Sequence, residues 1–196
     1  MKLSIEDFKI AIGNIQPKIQ SYFVTYPEFL KYFSHTPEIT NHNLIIGISF
    51  TYSWMPTVLK CIDSGSLENA VKLMNKVRSK EDITKVELET IMKCTNNSLV
   101  GASKLLHFIA PDRYAIWDSK VCQYYSNAKP SANLNKQIDT YFDYLRECRE
   151  LTAEPEYEAI HLQVCKTLEE KAGVKYEMSK MRTVELIMYY SGFKDK

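Results

Sequence analysis

Asn97 to Tyr125 reads NSLVGASKLLHFIAPDRYAIWDSKVCQYY, and the fold is decided in this stretch. Ser98 offers a hydroxyl that can accept from an amide left unpaired in a helix's first turn, so a helix is predicted to begin just after it and to run to about Ile109. Leu99, Ala102, Leu105, Leu106 and Ile109 recur at three- and four-residue spacing and share one inward face. Lys104 falls roughly opposite, with His107 beside that outer face. Pro111 ends the helix, because it has no amide to donate and turns the preceding residue away from helical geometry. Tyr114 to Trp117 is then a short extended link, and Asp118 or Ser119 caps the next helix, where a carboxylate also opposes the helix dipole.

A glycine-bearing hairpin, a helix with an outward lysine, a loop with a proline and an aspartate opening the next helix together resemble the helix-hairpin-helix DNA glycosylases. Within that superfamily the chain is most similar to small bacterial anti-phage glycosylases acting on modified cytosine. Leu99-Val100-Gly101 stands where the family's hairpin has Val-Gly, Asn96-Asn97-Ser98 replaces its Pro-Gly, and Asp118 stands where its aspartate would. The likeness covers about thirty residues. It implies a partner, double-stranded DNA and in the defence setting phage DNA, and a reaction, hydrolysis of an N-glycosidic bond to leave an abasic site. Glucosylated hydroxymethylcytosine is the base the likeness suggests; uracil and alkylated or oxidised purines stay open.

The chemistry asks for particular residues. Loss of a base builds positive charge on the sugar, which a nearby carboxylate stabilises while it orients water, and Asp118 is the candidate. An ordinary N-cap is the competing reading of the same residue. Lys104 has two functional readings: a Schiff-base nucleophile as in bifunctional relatives, or, favoured here, a phosphate contact or solvated side chain. A flipped base needs aromatic walls, for which Trp117, Tyr52 and Trp54 are candidates, each equally suited to a core. Backbone amides of Asn97, Ser98, Val100 and Gly101 would grip a phosphate at the helix N-terminus, with Lys120 and Lys129 adding charge. Lys175, Lys180 and Arg182 read as a solvated face interrupted by Glu177.

Composition narrows the field. A chain of 196 residues, 45% hydrophobic and 25% charged, suits a folded protein with a sizeable core. Its net charge of +1 means that DNA contact must come from a local patch rather than overall attraction. Met1 to Ile12 mixes charges into its apolar residues and does not resemble a signal peptide, and the longest apolar run, Leu44 to Phe50, is too short for a membrane span. A cytoplasmic protein with no membrane partner is expected. The five cysteines and four histidines show no metal-ligand spacing, so no metal or cofactor is expected, and the glycosylase subfamily with a four-cysteine cluster is excluded.

Elsewhere the periodicity is helical throughout. Ser4 with Asp7 starts a helix, and Pro17 opens a second, carrying Ile19, Phe23 and Tyr26. Leu44 to Asp63 is apolar almost all round, which predicts the central buried helix, with Pro56 either kinking it or marking a boundary between two helices and leaving Tyr52 to Met55 at a bend. Thr84 with Glu87 forms a capping box, Leu134 to Cys148 traces a long amphipathic helix, Gly173 closes the helix from Pro155, and Ser179 opens the last. No alternating strand and no repeat is found. The expected architecture is all-α, a bundle of about eight to ten helices with a helix-hairpin-helix-like element and a cleft. It forms one helical domain or two lobes, about 1–65 with 134–196 and 66–133 carrying the hairpin and Asp118. The alternative to a glycosylase is a non-catalytic helical module that binds DNA or a protein.

Overall fold

A computed structural model describes residues 3–17 and 20–192. Among these residues ten α-helices run in order: α1 (Ile5–Ala11), α2 (Gln20–Ser34), α3 (Asn41–Ser53), α4 (Leu67–Arg78), α5 (Lys85–Lys93), α6 (Leu99–Ile109), α7 (Ser119–Ser126), α8 (Leu134–Ala153), α9 (Tyr157–Ala172) and α10 (Lys180–Ser191). No strand occurs among the described residues, so the all-α expectation holds. Pro17 lies ahead of α2, and the expected role of Ile19 lies outside the described residues. Among the described residues no helix is long and apolar enough to cross a membrane.

The chain divides into two compact units, one of residues 1–23 with 115–196 and the other of residues 24–114. The division thus differs from the lobes expected from sequence: the hairpin and Asp118 fall in different units. Packing is the reason, since α3 lies against α4 and α6 and so joins 24–65 to the helices of 66–114.

In the unit of 24–114, α6 touches α3, α4 and α5. Surrounded in this way, it buries Leu99 and every residue from Gly101 to Phe108. Lys104, at 9% exposure, and His107, at 0%, are therefore inside the unit and not on an outer face. The three- and four-residue spacing had marked one apolar face correctly; the polar side of the helix is covered as well.

Leu44 to Asp63 also differs from its expected form. The helix stops at Ser53, the Trp54 amide turns back to the carbonyls of Thr51 and Tyr52, and Pro56 comes after the end of α3 without kinking it. Residues 54–63 run on without helix, tied down by Asn96: its carbonyl oxygen accepts from the amides of Lys60 (2.9 Å) and Cys61 (2.8 Å), and its amide donates to Val58 O (3.0 Å). Apolar composition predicted a longer helix because it cannot distinguish a buried helix from an irregular strap.

In the other unit, α10 is the hub, packing on α1, α7, α8 and α9 and burying every residue from Met181 to Met188. Arg182 and Glu185 form an ion pair inside it, with side chains 6% and 4% exposed. Arg182 is thus not part of a solvated basic face. The link 115–117 is held by α8, whose Tyr141 and Tyr144 hydroxyls each donate, at 3.3 Å, to the carbonyls of Ala115 and Ile116. Local signals read from sequence are realised: the Ser4, Ser98 and Ser179 caps, the Thr84–Glu87 capping box, and Gly173 at a φ of 67° closing α9.

Candidate functional site

The hairpin between α5 and α6 turns through Asn96 and Asn97, each at a φ of 53°. Asparagine tolerates this left-handed conformation better than most side chains, which lets it stand where a glycine would be ordinary. The turn spends most of its amides internally. Asn97 N donates to Met92 O (2.9 Å), Ser98 N to Thr95 O (2.8 Å), and Gly101 N to Ser98 Oγ (3.1 Å). Of the amides from Asn97 to Gly101, those of Leu99 and Val100 remain without a partner among the described residues. Of the four amides expected from sequence to meet a phosphate, those of Asn97, Ser98 and Gly101 are thus engaged within the turn, and that of Val100 is open, with Leu99 beside it.

Gly101 serves packing. A Cβ there would come within 3.1 Å of Thr95 Cβ and 3.4 Å of the Tyr52 hydroxyl. That hydroxyl is buried without a hydrogen-bond partner among the described residues, and burial raises the phenol's pKa above its ordinary value. One turn on, Lys104 Nζ donates to Trp54 O at 3.1 Å. Trp54 itself stacks on Tyr26, with ring centroids 5.7 Å apart, and its indole N–H donates to Thr25 Oγ1 at 2.7 Å. Gly101, Tyr52, Trp54 and Lys104 are thus brought together, as a buried cluster. Tyr52 and Trp54, 8% and 6% exposed, are walls of the core. The expected solvated or phosphate-touching lysine is corrected by the same geometry, since its stem and amine are enclosed.

His107 is a member of this cluster that sequence reasoning missed. Its Nδ1 lies 2.6 Å from Tyr114 O and its Nε2 2.7 Å from the Tyr26 hydroxyl. A carbonyl only accepts, so Nδ1 carries a hydrogen toward Tyr114 O, and Nε2 shares a hydrogen bond with the Tyr26 hydroxyl. The link from α6 to the Tyr114 backbone positions the end of this unit's chain.

In the other unit, Asp118 caps α7. Its Oδ1 accepts from both Lys120 N and Val121 N, each at 2.9 Å, while Oδ2 takes no hydrogen bond among the described residues. The side chain is partly exposed. Trp117 beside it is 2% exposed and packs its indole against Tyr125, Tyr141 and Tyr144, with centroids 6.1, 6.1 and 5.2 Å away. That places Trp117 in the core, where it supports the backbone that presents Asp118. Lys120 reaches over the Tyr189 ring, its Nζ 4.1 Å from the centroid, and burial pushes the Tyr189 phenol up to about 12. Lys129 is exposed.

Among the described residues no group of three His, Cys, Asp or Glu is placed to hold a metal ion. Compared with family models, with curated proteins and with solved structures, the chain matches none.

Proposed function

We propose that this chain is a monofunctional DNA glycosylase that hydrolyses the N-glycosidic bond of a modified base in double-stranded DNA and leaves an abasic site. The observation that carries the reading is the carboxylate of Asp118. Two amides of α7 hold one of its oxygens, and the other accepts no hydrogen bond from the described residues. A carboxylate so fixed can face the charge that develops on the sugar as the base departs, without first reorganising. Its second oxygen can accept a proton from an attacking water. The enclosure of Lys104 favours hydrolysis by water over a Schiff base, because a nucleophilic amine must reach the sugar. The amides of Leu99 and Val100, at the positive end of α6, suit a phosphate oxygen.

The test is a panel of duplexes and phage DNAs carrying glucosylated hydroxymethylcytosine, uracil, and alkylated and oxidised purines, each probed chemically for abasic sites. At least one substrate should yield them with wild type, and Asp118→Asn should reduce the yield. Asparagine keeps the cap, because its side-chain oxygen accepts the same amides. The second reading, a helical module that binds DNA or protein without chemistry, is favoured by the ordinary capping geometry of Asp118. It expects no product on any substrate and binding that survives Asp118→Asn.

A further inference from the structure

Helix α9 presents His161 and Cys165 one turn apart on the same face, bordering a cavity of about 660 Å³. Cys165 Sγ lies 3.9 Å from His161 Nε2, and His161 Nδ1 lies 3.1 Å from Thr183 Oγ1 on α10. The Thr183 hydroxyl also faces Lys180 O at 2.9 Å and the Tyr157 hydroxyl at 3.0 Å. A hydroxyl has one proton and two lone pairs. Given to the nearer acceptor, Lys180 O, that proton leaves Thr183 to accept from His161 Nδ1–H; the Tyr157 hydroxyl also reaches Lys180 O, donating at 3.4 Å. The Nε2 lone pair then faces the thiol. Thr183 orients the base, the base faces the nucleophile, and an open cavity adjoins both.

The protonation states fit this order. Burial lowers the His161 pKa below its ordinary value; Glu158 on α9 and Glu177 in the link between α9 and α10 oppose that, and Lys180 on α10 adds to it. Burial raises the Cys165 thiol. Near neutral pH the pair is therefore a neutral imidazole beside a protonated thiol, and the thiol reacts only as the base takes its proton. Of the other cysteines, Cys94, Cys122 and Cys148 are buried, and Cys61 is exposed.

The cavity lining supplies charges of both signs, Lys175 with Glu169 and Glu177, beside apolar Leu162 and Val174. Its volume is in the range of small-molecule sites. Acyl transfer would call for donors aimed at a carbonyl oxygen. Disulfide exchange needs only a base for the attacking thiol and an acid for the departing one, which one imidazole supplies in turn.

We propose that Cys165 and His161 form a thiol-exchange site for a small zwitterionic disulfide. Cys165 Sγ attacks one sulfur of the disulfide as His161 Nε2 removes its proton. A new S–S bond forms, the old one breaks, and the departing thiolate takes the proton from His161. The products are a mixed disulfide on Cys165 and one free small thiol, with no net oxidation.

The experiment uses Cys61→Ser protein and oxidised glutathione as probe, with the mixed disulfide located by peptide mass mapping and its rate followed from pH 5 to 9. Modification should fall on Cys165, rise as His161 deprotonates, and level off near neutrality; an unassisted thiol would keep gaining about tenfold per pH unit until its own titration. His161→Gln should slow it at least about tenfold at pH 7 and restore the continuous rise. The wild-type pH profile stands even if that variant does not fold. An unbroken rise in wild type, an unchanged rate in folded His161→Gln, or modification of Cys165 only in denaturant would overturn the proposal.

Discussion

At the scale of single residues, two side chains separate the readings. Asp118 is anchored through Oδ1 alone, so Asp118→Asn removes charge while retaining the cap. Lys104 lies 9% exposed with its amine on Trp54 O. Borohydride added during turnover is accordingly expected to trap no covalent protein–DNA adduct. A trapped adduct abolished by Lys104→Met would point to Schiff-base chemistry instead of the proposed hydrolysis and require the amine to leave this enclosure. The residue scale is also where sequence reading was least complete. Position 104 belongs to a polar face by periodicity, and no local signal announces that three helices close around it. His107 is likewise a partner of Tyr26 and Tyr114 only after the chain has folded.

At the scale of elements, local chemistry was legible and packing was not. Ser98, Thr84 with Glu87, Ser179 and Gly173 act within a turn of themselves, so their motifs survive into the structure. The end of α3 at Ser53 could not be read the same way, because the strap after it is held by Asn96, far along the chain. Gly47 sets how closely α3 approaches its neighbours: a Cβ there would overlap the buried Phe33 ring and come within 3.1 Å of Leu105 Cδ1. Gly47→Ala gains helix propensity but overpacks, and a net loss of about 1–2 kcal/mol is expected in denaturant titration. The α5 cap gives a pH prediction. Lys76 (2.7 and 2.9 Å) and the Thr84 amide (2.7 Å) hold the Glu87 carboxyl below its ordinary value, the Lys76 hydrogen bond first. A carboxyl depressed in the folded state stabilises fully above the unfolded value of about 4.3, and that contribution is lost as pH falls through the folded one. The melting-temperature gap between wild type and Glu87→Gln should thus be full at pH 7 and close under acid; a gap independent of pH would refute the assignment.

At the scale of the whole molecule, the all-α class came from uniform helical periodicity, whereas the division into units did not. The chain leaves one unit at Phe23 and returns to it at Ala115, and nothing local marks those positions. The hairpin and Asp118, close together in the sequence, belong to different units. The proposed chemistry rests on the Asp118 carboxylate. The most direct measurement is the single-turnover rate of abasic-site formation on the substrate a base panel selects, for wild type and Asp118→Asn at matched melting temperature. A rate at least about a hundredfold lower in the variant, with DNA binding retained, is the expected result. Equal rates, or no abasic sites from wild type on any modified base, would contradict it.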